Sequence, residues 1–311
     1  MNRRFLRQVA PLLLSLAIVG GLSLMVRQFE KKAPRPFDKL LVEVLPEIPD
    51  LAGWPTAFLE RLEAAHAGLE DGELQRSSLV ELAYLYHANG FLQQAQACYL
   101  GLESFETENP RWPYLLGVMT SDRLDKASVA THFARAIELD PTNSLAYLRL
   151  GHAYREGGLL AEARTAYGYR LLGSPDDAWA MAYLGVVAWL EERLPEARDW
   201  LEKAKGATPR LSLVYEVLPE IYQELEDYEA AKAARLAGDG LELVEELQDP
   251  ALSFLADYCY IADRLLEFAE EARRAGELDR ALSLLERAMD QDLPSSEVLE
   301  ELSKLVREIE E

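Results

Sequence analysis

The chain is 311 residues long, 49% of them apolar, and carries a formal charge of −22. That length exceeds one small core and fits two domains or one extended array, and the apolar share excludes wholesale disorder. Seven of the 32 basic residues but one of the 54 acidic ones fall in residues 1–35, so the remainder carries −28, which argues against nucleic acid or a flat anionic membrane as its partner.

Residues 1–8 form a basic tail with Arg3, Arg4 and Arg7, and residues 9–26 read VAPLLLSLAIVGGLSLMV without a charge. As a helix this run is just long enough to cross a hydrocarbon core. It predicts a single-pass transmembrane signal-anchor. Cleavage as a signal peptide is the competing outcome. Against it, the run ends Leu24-Met25-Val26-Arg27, which lacks small residues at alternating positions, and no cysteine follows. Arg27, Lys31, Lys32 and Arg35 lie beyond the span, so charge balance alone does not orient it. The short tail favours a cytoplasmic start and export of the body. In a bacterium that is an inner-membrane protein with a periplasmic body.

Residues 27–75 are a Pro-containing linker and a lead-in helix. Pro34, Pro36, Pro46 and Pro49 oppose a long helix. Pro55 suits the first turn of a helix running to about Leu69.

From residue 76 the chain repeats every 34 residues. Leu82, Leu116, Leu150, Leu184 and Leu218 form one column, and Ala83, Gly117, Gly151, Gly185 and Pro219 the next. Ala95, Val129, Ala163, Ala197 and Ala231 form a third; Tyr99, Phe133, Tyr167 and Leu201 a fourth; Pro141, Pro175 and Pro209 a fifth. Tyr86, Tyr154 and Tyr222 keep the same register. Small columns let two antiparallel helices approach, large columns fill the space between hairpins, and proline ends each second helix. A lone hairpin cannot bury its apolar face, so neighbours must stack.

This pattern resembles the tetratricopeptide repeat. The resemblance implies an all-α, right-handed superhelical solenoid of helix hairpins behind the N-terminal transmembrane helix, binding proteins and having no catalytic site. The array spans 76–245 in units 76–109, 110–143, 144–177, 178–211 and 212–245. The last unit departs from the pattern, with Pro219 in the small column and Arg235 in the aromatic one. Ala269, Gly276, Ala281, Leu285 and Ala288 suggest a further hairpin, out of phase by half a unit. Residues 246–311 therefore read as an inserted helix, which should lengthen a helix around Leu247–Ile261, an out-of-phase hairpin, and an amphipathic capping helix over Ser296–Glu311.

The resemblance also implies that the first helix of each unit lines a concave binding face. It places there Tyr84, His87, Tyr114, His152, Arg155, Trp179, Val186, Trp189, Glu216, Glu220 and Glu224. Such a face suits a basic or amphipathic protein or peptide partner. Two alternatives stay open: Trp179 and Trp189 as packing residues, and the glutamates as a solvated row. Self-assembly through the end helices is a third outcome. The four histidines make no HExxH or paired-ligand spacing, and no GxSxG, phosphate loop or calcium loop occurs. No cofactor, metal or enzymatic activity is expected. Cys98 and Cys259 form no CxxC motif and read as small buried core residues.

Overall fold

The computed structural model describes residues 48–71, 73–121, 125–239 and 249–289, with isolated helical positions at 300, 304 and 307. The chain divides into two units, 1–43 and 44–311. The tail 1–8 and the expected span 9–26 lie outside the described residues, as do 27–47 of the linker and most of the expected cap. Among the described residues no helix is long and apolar enough to cross a membrane.

The described chain is all helix and turn. Helix α1 (Thr56–Gly68) follows Pro55 and buries Phe58, Leu62 and Ala65, one helical face. Five hairpins follow: α2 (Gln75–Ala88) with α3 (Leu92–Phe105), α4 (Arg111–Thr120) with α5 (Lys126–Leu139), α6 (Ser144–Glu156) with α7 (Leu160–Gly173), α8 (Ala178–Leu190) with α9 (Leu194–Ala207), and α10 (Ser212–Glu224) with α11 (Tyr228–Gly238). Helices α6, α8 and α10 begin 34 residues apart. Asn143 and Asp177 start two of them by accepting the amides of Ala146 and Ala180, which satisfies donors the helix cannot.

The described turns of four of these hairpins are one device used repeatedly. Gly90, Gly158, Glu192 and Glu226 occupy it in the left-handed region, with φ of 79°, 76°, 59° and 60°. The next residue's amide reaches back across the helix end: Phe91 to Tyr86 O at 2.9 Å, Leu159 to Tyr154 O at 2.8 Å, Arg193 to Ala188 O at 2.8 Å, and Asp227 to Tyr222 O at 2.9 Å. This is the Schellman arrangement, which favours glycine because a Cβ crowds the carbonyl. Two units accept that strain with glutamate.

The half-unit insertion does not lengthen a helix in the described residues. Helix α11 ends at Gly238, and residues Pro250–Tyr258 form a separate run of 3-10 turns. Asp249 starts that run, its side chain accepting Ala251 N at 2.9 Å, with Pro250 at the first position. Helices α12 (Ala262–Arg274) and α13 (Leu278–Met289) then form a hairpin with the same turn, Gly276 at φ 79° and Glu277 N to Ala272 O at 2.8 Å. In α10 the helix continues through Pro219, which is buried, despite the lost backbone donor.

Contact between paired helices sits on the small column. A Cβ built on Gly117 would lie 2.9 Å from the Phe133 ring, one on Gly151 2.4 Å from Tyr167, and one on Gly185 2.7 Å from Leu201. Each partner lies in the large column of the same unit, and each is buried. Where alanine stands in the column, at Ala83, the pairing tolerates it and both Ala83 and Tyr99 are fully buried. Gly168 in α7 has open space instead. Gly151→Ala should therefore destabilise by about 1–3 kcal/mol through overpacking. Gly168→Ala should gain up to about 1 kcal/mol from helix propensity. Denaturant melts of the pair check this; equal shifts of the same sign would contradict the packing.

Candidate functional site

The face of the first helices divides into two halves. Toward the N-terminus, Tyr84, His87 and Tyr114 are buried, at 4%, 5% and 4% exposure. Tyr84 and Tyr114 are thus covered rather than open to solvent, while His87, though buried, also lines the cavity between the two halves. His87 points inward, its Nδ1 3.0 Å from Tyr99 Oη. Tyr84 and Tyr114 are covered by the chain's own residues 249–258. The Tyr114 hydroxyl donates to Asp249 Oδ2, and Arg149 lies 3.6 Å from the same carboxylate. Phe254 and Tyr258 meet the Tyr84 ring edge-on at centroid distances of 4.7 and 5.1 Å. Arg111 completes the stack 4.5 Å from the Phe254 ring and 5.1 Å from Tyr84.

The main chain of this segment is held as closely as its side chains. Asn89, nearly fully buried, donates to Tyr258 O at 2.8 Å and accepts Tyr260 N at 2.7 Å. Arg61 of α1 donates to Asp257 O at 2.8 Å. Arg264 of α12 donates to His87 O and Ala88 O at 3.1 and 2.7 Å, at the C-terminal end of α2. The sequence reading singles out none of Asn89, Arg61, Asp249, Phe254 or Tyr258. The Asp249-Pro250 pair is a helix-start signal that could have flagged a separate element there.

Toward the C-terminus the face is only partly covered, with His152, Arg155, Trp179 and Tyr183 half-buried and Glu216 and Glu224 exposed. His152 packs 4.4 Å from Tyr183, and Arg155 lies 5.5 Å from the same ring. Trp179 stacks on Tyr183 at 6.1 Å. The structure thus gathers three expected residues around Tyr183, which the sequence reading omits. Val186 is a core residue at 8% exposure, packed between α8 and α10. Trp179 and Trp189 pack half-buried on that cluster. Trp189 Nε1 donates to Glu224 Oε1 at 2.9 Å, and Glu220 accepts Arg235 at 2.8 Å. Arg235 is the residue that replaced the aromatic column, so a broken repeat position becomes an ion pair. It is exposed, and so worth little to stability. Glu216 is exposed.

Between the halves lies a cavity of about 640 Å³, with Lys126, Arg149, His152, Glu156, Asp249 and Arg264 among its lining residues. Lys126 pairs with Glu156 at 2.7 Å. Among the described residues, no three His, Cys, Asp or Glu side chains converge as a metal site would need.

The spacing of the hairpins and the glycine contacts describe an all-helical stack of helix hairpins that resembles tetratricopeptide solenoids. Residues 132–165 match a family model described as a tetratricopeptide repeat. A mitochondrial pentatricopeptide repeat-containing protein of Arabidopsis thaliana is 29% identical over 148 residues, 46% of this chain. The chain spans about 15% of the length of that relative. Similar solved structures include YrrB, described as a tetratricopeptide protein with an unusual peptide-binding site (19% identity, TM-score 0.47, covering 62% of this chain and 95% of that one). MamA from Desulfovibrio magneticus RS-1 is 17% identical with a TM-score of 0.44, over 61% of this chain and 97% of that one. PilF of Pseudomonas aeruginosa is 16% identical with a TM-score of 0.44, over 80% of this chain and 100% of that one.

Burial holds His87 and His152 neutral, pushing each down to about 3; the Arg264 charge adds to this at His87, and those of Arg149 and Arg155 at His152. Burial and neighbouring Asp249 push the Tyr114 phenol above its usual range. An unfolded histidine takes up a proton near pH 6.5. The folded state resists that uptake until about pH 3, so its stability is complete above pH 6.5 and drains away as pH falls. Between pH 6.5 and 5, above the carboxylate range, His87→Gln should flatten the fall in denaturation midpoint by about one bound proton. A slope unchanged by His87→Gln would place that proton uptake elsewhere.

Proposed function

We propose that this chain is a membrane-tethered repeat scaffold that binds a protein partner along the face of α6, α8 and α10 and performs no chemistry itself. The observation that carries this reading is the cluster of His152, Arg155, Tyr183 and Trp179 on consecutive first helices. Large, stiff aromatic rings with polar tips are the residues that concentrate binding energy at protein interfaces. Glu216 and Glu224 extend the face with negative charge on an acidic body, which suits a basic or amphipathic partner and speeds its encounter.

The uncharged run 9–26 is the tether in this proposal, retained as a single-pass anchor in the inner membrane of a bacterial envelope, with the solenoid in the periplasm.

Two measurements test the two parts. Chemical crosslinking in intact membranes, followed by recovery of the chain, should capture a defined protein. Trp179→Ala with Glu216→Lys should reduce that capture at least tenfold, in line with the roughly 2 kcal/mol or more lost at interface anchors. Capture unaffected by the double variant would remove the face from the proposal. For the tether, protease added to spheroplasts should digest the repeats, and the mass of the membrane-bound chain should retain residues 9–26. A protected body, or a mature chain starting beyond residue 26, would sink the topology.

A further inference from the structure

Residues 249–261 make the contacts of a bound peptide, although they belong to the chain they bind. Their backbone carbonyls are taken by side chains of other elements. Asp257 O accepts Arg61, Tyr258 O accepts Asn89, Ser253 O accepts Arg280 at 2.8 Å, and Ala256 O and Cys259 O accept Arg287 at 2.9 and 2.8 Å. Side chains of the segment fill sites on three successive first helices. Asp249 sits between Tyr114 of α4 and Arg149 of α6, while Phe254 and Tyr258 sit on Tyr84 of α2. Helix-in-groove recognition reads apolar anchors at i, i+4 spacing, which Phe254 and Tyr258 have, and Asp249 adds a charged contact. A run of 3-10 turns also carries weaker internal hydrogen bonds than an α-helix and is stable here through its surroundings.

We propose that Asp249–Ile261 is a built-in ligand that closes the N-terminal half of the binding face. Its release by local opening would expose a second face that recognises an acidic residue followed by two aromatics four residues apart. This rests on the reading of the repeats as a protein-binding scaffold. It accounts for the half-unit break in the repeat: the insertion supplies the occupant and turns the last hairpin back onto α2. In the closed state a partner meets only the α6–α8–α10 half. In the open state, Tyr84, Arg111, Tyr114 and Arg149 become available to a competing segment of the same chemistry.

The two cysteines of the chain provide native probes. Cys98 lies in α3 within the repeat core, Cys259 lies in the segment, and both are fully buried and free. In the full-length chain under native conditions, a thiol reagent should modify Cys259 at least ~10-fold faster than Cys98, because local opening precedes global unfolding. Asn89→Ala, which removes the bonds to Tyr258 and Tyr260, should speed Cys259 further and leave Cys98 unchanged. An excess of synthetic peptide covering residues 249–261 with Cys259→Ser should do the same by taking the vacated face, whereas that peptide with Asp249→Ala and Phe254→Ala should not. Two results would overturn the proposal. One is a common rate for both wild-type thiols that tracks global unfolding in denaturant, which would make the segment ordinary core. The other is no acceleration by the native peptide. Neither measurement involves a partner, so failure here leaves the crosslinking result standing, and failed crosslinking leaves the segment's opening to be read on its own.

Discussion

Close approach between a side chain of no size and one of large size sets everything else in this protein. Gly151 lies against the Tyr167 ring, Gly117 against Phe133 and Gly185 against Leu201, each pair joining the two helices of one hairpin. With the helices so close, the columns of Leu82, Leu116 and Leu218 and of Ala95, Ala163 and Ala197 can be almost fully buried. Dense packing of this kind transmits position from one unit to the next. The first helices are therefore held at regular intervals, and side chains 34 residues apart present themselves along one face. A binding face built by repetition needs no loop to shape it.

That face is finished by an element that does not repeat. Asp249 is fully buried at its side chain, beside Arg149 and under the Tyr114 hydroxyl. A carboxylate removed from water needs charged or hydrogen-bonding company, and α4, α6 and the Ala251 amide of its own run supply it. The aromatic rings of Phe254 and Tyr258 add apolar area, with Arg111 and Arg61 over their faces. The first and last parts of the described chain are joined through this contact, by Arg61 to Asp257 and by Arg264 to the end of α2.

The departures from the repeat carry a consistent physical meaning. Arg235 stands where an aromatic residue would fill space, and the ring's packing is replaced by bonds to Glu220 and Gln223. Glu192 and Glu226 stand where glycine would relax the turn, yet the backbone keeps the left-handed conformation because the hairpin on either side demands it. Tyr183 escaped notice because its position is not one that the resemblance marks as groove-lining. It became central only when α6 packed beside α8 and brought His152 and Arg155 to it.

What the amino-acid sequence determined by itself was the repeat: helix hairpins, their period, and the small and large positions that pair within each. Those contacts are short in sequence and recur, so the pattern that makes them is written several times over. The same is true of the helix starts at Asn143 and Asp177, whose capping needs only residues three positions away. Only the tertiary structure decided that Tyr84 and Tyr114 are occupied rather than open. Tyr114 meets Asp249 across 135 residues, and the same segment is held across the 169 residues from Asn89 to Tyr258 and the 196 from Arg61 to Asp257. Contacts of that kind occur once, and many are made to backbone carbonyls, which every residue carries and no sequence pattern announces.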